Sequence, residues 1–97
     1  MEQEMLAIAV FKEGDGIFEK FMGWMQSDQG MNVRKSVAYV EKTMPSVSPT
    51  KNYVMFKVSV HNEEGMIEFV TGKNPVAKSI WDDCIDSCKL YKLSEVL

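Results

Sequence analysis

Tyr53-Val54-Met55-Phe56-Lys57-Val58-Ser59-Val60-His61-Asn62-Glu63-Glu64-Gly65-Met66 changes its period partway along. From Tyr53 to Val60 the residues alternate. Val54, Phe56, Val58 and Val60 make a strongly apolar face, and Tyr53, Met55, Lys57 and Ser59 a mixed one, because successive side chains of a strand point to opposite sides. Asn62 is then a candidate helix cap, and Glu63 and Glu64 stand favourably near the positive end of the macrodipole. Met66, Ile67, Phe69 and Val70 form the stripe that this helix should bury. Downstream, Thr71-Gly72-Lys73 interrupts it, and Asn74-Pro75 restarts a helix in cap-then-proline order, with Val76, Ile80 and Trp81 on one side. This helix is therefore expected in two pieces. A last strand, Ser87 to about Glu95, sets Cys88 and Leu90 against Tyr91 and Leu93.

Upstream, Met44-Pro45-Ser46-Val47-Ser48-Pro49-Thr50-Lys51 carries two prolines that cannot donate to a ladder, and it is expected to link an antiparallel pair. Asn32 to Lys42 is predicted as the strand before that link, with Val33, Val37 and Tyr39 on one side and Ala38 and Val40 on the other. Gly30 suits the left-handed residue that closes a helix. That first helix is expected from Gly16 to about Asp28, capped by Asp15, with Ile17, Phe18, Phe21, Met22, Trp24 and Met25 as its apolar stripe. Before it, Met5 to Phe11 is a continuous apolar run of strand length, ended by Glu13-Gly14-Asp15-Gly16.

The order is β-α-β-β-α-β. It implies an α+β fold in which the right-handed crossover sends both helices to one face of a four-stranded antiparallel sheet. The other face is left bare, yet Leu6, Ile8 and Val10 oppose Met5, Ala7, Ala9 and Phe11, so the first strand is apolar on both sides. At about 25 cal/mol per Å², several hundred Å² of exposed apolar surface forgoes several kcal/mol, comparable to the stability of a small domain. A second copy packing sheet against sheet about a two-fold axis is the expected cover, so the chain's first partner is itself, as a homodimer.

Length and charge narrow the function. The chain of 97 residues is read as one domain, 1–97. Eleven Lys and Arg against fourteen Asp and Glu give a net charge of -3, which disfavours nucleic acid as a partner. No apolar run approaches the roughly 20 residues that cross a bilayer, and no membrane association is expected. Two cysteines are too few for a secreted disulfide framework, and the opening Met-Glu-Gln-Glu has neither a basic nor an apolar leader region, so a cytoplasmic location is expected.

The strand-to-capped-helix stretch of residues 53–66, set in this order of elements over nearly the whole chain, resembles the dimeric α+β barrel superfamily of ferredoxin-like proteins. That superfamily includes antibiotic-biosynthesis monooxygenase-type proteins, haem-degrading monooxygenases and many small uncharacterised proteins. The resemblance implies a ferredoxin-like fold, a homodimer and a ligand pocket in the cleft between helices and sheet. Haem-degrading members use an Asn on the first strand, a Trp after the third and a His on the second helix. Here Leu6 to Phe11 holds no Asn, Val60 and His61 stand where the Trp would be, and the second helix holds no His, so haem degradation is not expected.

His61, the single histidine, lies where a strand becomes a helix and is the weak candidate for a catalytic acid or base; the plain alternative is a surface residue at a turn. Trp24, Tyr39, Tyr53, Met55, His61 and Trp81 are the candidate lining of a small-molecule site. Eight methionines, Met22, Met25, Met55 and Met66 among them, give an interior that can mould around an apolar or aromatic metabolite, or simply fill a core. Cys84 and Cys88 with one distant histidine do not supply the four ligands of a zinc site, and neither thiol has a neighbouring base to make it a nucleophile. Asp82, Asp83 and Asp86 read as a solvated helix end, and Gly14-Asp15-Gly16 lacks the remaining glycines and the Lys-Ser or Lys-Thr of a phosphate loop. No metal and no cofactor are expected. The leading reading is a small homodimer that binds a small apolar or aromatic metabolite. Its alternatives are a cofactor-independent oxygenase or isomerase with His61 as base, and a regulatory ferredoxin-like module.

Overall fold

Continuous apolar strands favour the middle of a sheet, and β1 (Gln3–Phe11) takes that place. It pairs antiparallel with β3 (Tyr53–Val60) on one side and with β4 (Ile85–Lys92) on the other. A short β2 (Met44–Val47) extends the sheet beyond β3, for a strand order of β2-β3-β1-β4. The computed structural model describes residues 2–94 and 96, so the expected end of the last strand at Glu95 lies outside the described residues.

Two helices, α1 (Ile17–Gln26) and α2 (Asp28–Val37), lead from β1 towards β2, and α3 (Glu63–Val70) and α4 (Lys78–Cys84) connect β3 to β4. They cover the sheet face that carries Met5, Ala7, Ala9 and Phe11 of β1 and Val54, Phe56, Val58 and Val60 of β3. Phe21, Met25, Val33, Val37, Met66, Phe69 and Trp81 meet that face, each such burial contributing about 1.5–3 kcal/mol. Phe11, Phe21, Trp81 and Phe69 form a chain of ring contacts with centroid separations of 5.3, 5.4 and 5.0 Å. The Trp81 indole N–H, buried here, donates to the Val70 carbonyl at 3.1 Å.

The ferredoxin-like plan is as expected, and so is the second helix in two pieces, with Asn62 capping α3 through the Gly65 N–H at 3.1 Å. Asn74 instead forms a turn, its Oδ1 accepting from the Val76 and Ala77 N–H groups, and α4 begins three residues after Pro75.

The second strand is a correction. Asn32 to Val37 is helical, and Ala38 alone bridges to Val60 before a 3-10 turn at Val40–Lys42. Val33 and Val37 are four apart, a spacing that a strand face and a helix face share; with Gly30 they form the buried stripe of α2. Gly30 is not a left-handed terminator: a Cβ there would stand 1.9 Å from the Trp24 carbonyl oxygen, so its lack of a side chain lets α2 turn tightly against the end of α1. Ser27 makes the corner, its hydroxyl accepting from the Gly30 N–H at 3.1 Å.

The true second strand lies in the proline segment. Pro45 is tolerated there because β2 is an edge with one neighbour. Asp15 does not cap α1; the cap position is Gly16, in a left-handed conformation (φ 75°), and β4 starts at Ile85, directly after Cys84 and two residues before the expected Ser87.

Among the described residues no helix lies over the opposite face of the sheet. Leu6, Ile8, Val10 and Met55 lie half-buried there, and Tyr53, Tyr91 and Met44 are exposed among Lys57 and Lys89.

Candidate functional site

Between helices and sheet, the β1 face that opens with Met5 and closes with Phe11 has only Ala7 and Ala9 between them. Two methyl groups cannot fill the space that a larger pair would occupy under α1 and α3. A cavity of about 40 Å³ results, floored by Ala7, Ala9, Phe56 and Val58 and walled by Phe21, Met25, Met66, Phe69, Val70 and Trp81. This is room for a few waters, but a lining so apolar offers them few partners.

Arg34, Thr43 and Cys88 also border the cavity, together with Val37, Ala38 and Val40, but the surface turned towards it is apolar. Arg34 is the only arginine of the chain. Its Nη1 donates to the Met25 carbonyl at 3.1 Å, where α1 nears its end, and approaches the Met31 sulfur at 3.2 Å. No carboxylate pairs with it among the described residues, and burial depresses its pKa. Burial also pushes the Cys88 thiol up to about 11 and raises that of Cys84. Both are protonated at neutral pH, free, and poor nucleophiles.

Of the six residues named as the candidate lining the cavity takes in Trp81, and of the methionines named beside them Met25 and Met66. Trp24 is not part of the lining; its ring lies 6.2 Å from Phe69 at a tilt of 46°, and its indole N–H donates to the Gln29 side chain at 3.2 Å. Tyr53 and Met55 lie on the uncovered face of the sheet. His61 and Tyr39 pack together at 4.9 Å on the surface, where a ring nitrogen of His61 lies 2.9 Å from the Lys35 carbonyl. Neither belongs to the cavity lining. The acidic cluster is divided among separate lysines: Asp83 pairs with Lys20 at 3.0 Å and Asp82 with Lys78 at 3.2 Å. Among the described residues no group of three or more potential ligands converges on a metal position, and no helix is long and apolar enough to cross a membrane.

Sequence reading passed over Ala7, Ala9 and Arg34. The alanines carry a signal, small residues in the middle of a face bounded by Met5 and Phe11, which becomes legible once that face is known to be covered. Arg34 carried none while its segment was read as a strand.

No family model matches the chain, and no curated protein matches it by sequence. Solved structures match its fold over nearly its whole length. One is a protein provisionally named an antibiotic biosynthesis monooxygenase from Bacteriodes thetaiotaomicron, 10% identical, with a TM-score of 0.59 over 99% of this chain and 90% of that one. A dimeric ferredoxin-like protein from an uncultured marine organism is 8% identical, with a TM-score of 0.56 over 100% and 93% of the two chains. A dabb family protein with a ferredoxin-like fold from Mesorhizobium loti is 8% identical, with a TM-score of 0.52 over the whole of both. At these identities the likeness shows the fold alone.

Proposed function

We propose that the protein is a cytoplasmic homodimer whose subunits each bind a small apolar molecule between the helices and the sheet. The apolar cavity above Ala7 and Ala9 carries this reading. Its walls include Met25 and Met66, whose unbranched side chains can shift to admit a guest larger than the resting 40 Å³. The free thiols of Cys84 and Cys88 suit a reducing compartment. Pairing through the uncovered sheet face is supported by Leu6, Ile8, Val10 and Met55 on that face, and one fold neighbour is described as dimeric. A binding role is favoured over catalysis with His61 as base, because His61 is exposed and outside the cavity lining.

Filling the cavity tests the reading. Ala9→Val adds two methyl groups to a residue that is only 2% exposed and lies on the cavity floor. Small apolar probes such as indole should raise the melting temperature of the parent protein and shift amide resonances around Met25, Met66 and Trp81, and Ala9→Val should respond at least tenfold more weakly. An equal response from both proteins would place the probe elsewhere and end the proposal.

A further inference from the structure

We propose that Trp81 is the gate of the cavity, and that a guest reaches the apolar chamber from a solvated cleft that shares Trp81 with it. The inference rests on the reading of the cavity as a ligand site and adds the way in. A second hollow, an open cleft of about 630 Å³, is bounded by the turn after α3, by α4 and by the start of β4. Polar residues such as Lys12, Thr71, Lys78 and Ser87 keep it wet. Val70, Trp81 and Cys88 border both this cleft and the inner cavity, so three residues build the partition between the two spaces. The indole fills most of it. On one side its ring meets the cavity residues Phe21 and Phe69, with centroids 5.4 and 5.0 Å away. Gly72, a cleft residue, comes so near that a Cβ there would stand 3.2 Å from the indole Cδ1.

Little holds this partition shut. One hydrogen bond, from the indole N–H to the Val70 carbonyl at 3.1 Å, fixes the ring, and water in the cleft can replace it at a small net cost. The helix that carries Trp81, α4, has seven residues and starts after Ala77 with no side-chain cap, so it can open without the core unfolding. Elsewhere the walls are tied more firmly. Ala7, Ala9, Phe56 and Val58 belong to the ladder between β1 and β3, and Phe21 is fully buried. Along the half-buried stretch of Arg34, Val40 and Thr43, the Arg34 guanidinium ties α2 to the Met25 carbonyl of α1.

Two measurements on the whole chain test the gate. In the parent protein the Trp81 indole N–H, corrected for its intrinsic rate, should exchange with deuterium at least tenfold faster than the Ala7 and Ala9 amides at the centre of the sheet. Trp81→Phe keeps a ring beside Phe21 and Phe69 but removes the N–H donor. It should raise the association rate of indole, read from exchange broadening of the Met25 and Met66 amides, at least fivefold. Val40→Ala, which loosens the other half-buried side, should raise that rate less. An indole N–H as slow as the β1 amides would overturn the gate and leave the apolar site standing. So would an association rate that Trp81→Phe leaves unchanged, or that Val40→Ala raises as much. If indole does not bind the parent protein, the site itself falls and the gate with it.

Discussion

A single thiol offers the clearest residue-scale test of the interior. Cys88 is held protonated by burial, its pKa pushed from the ordinary 9.0 to about 11. In the unfolded chain the same thiol ionises near 9, so above that pH the unfolded state carries fewer protons and the folded state loses ground. The contribution is fully present below pH 9 and is lost as pH rises through 11, at most about 3 kcal/mol in all. Urea denaturation from pH 8 to 11 should show this decline, and Cys88→Ala should flatten it by about that amount. Alkylation should likewise be slow at pH 7 and gain close to tenfold per pH unit. Rapid labelling of Cys88 at neutral pH in the folded protein would contradict its protected state.

At the scale of elements, the turn from α1 into α2 depends on an absent side chain. The Cβ of Gly30→Ala would meet the Trp24 carbonyl oxygen at 1.9 Å and carbon at 2.9 Å, both backbone atoms that cannot swing aside. The two helices must then separate, and a loss of about 1–3 kcal/mol is expected in chemical denaturation. A cost below a few tenths would mean that the corner has slack. The same corner shows why part of the fold was legible and part was not. Tyr53 to Val60 alternates without ambiguity, and Asn62 announces α3, so that half of the chain could be read directly. Val33 and Val37 satisfy both periods, and Gly30 has the composition of a helix end although it acts as a packing notch. Local pattern cannot distinguish these; the tertiary approach of α1 decides. Arg34 was hidden by the same ambiguity, and Tyr39, Tyr53 and Met55 were assigned by residue type, which does not say on which side of the sheet a side chain lies.

For the whole molecule, the consequential surface is the sheet face without helices. Ile8 sits at its middle, flanked by Met55 on β3 and Lys89 on β4. Ile8→Glu would bury a carboxylate between two copies if that face is the dimer contact, an arrangement that costs several kcal/mol per ion. Light scattering should find the parent at twice the 11.1 kDa chain mass and the variant at the single mass, with its far-ultraviolet circular dichroism retained. An unaltered dimer in the variant would move the contact elsewhere. A separate consequence follows from the join between α4 and β4, where Cys84 ends the helix and Ile85 opens the strand. No spare backbone lies between them, and the pairing opposite Ile85 already slips register between Val10 and Phe11. Helix and border strand are therefore joined without an intervening loop. Should Trp81 swing outward to admit a guest, the pull would reach β4, whose Cys88 borders the cavity beside Ala9, and deuterium uptake along Ser87 to Leu90 would register occupancy.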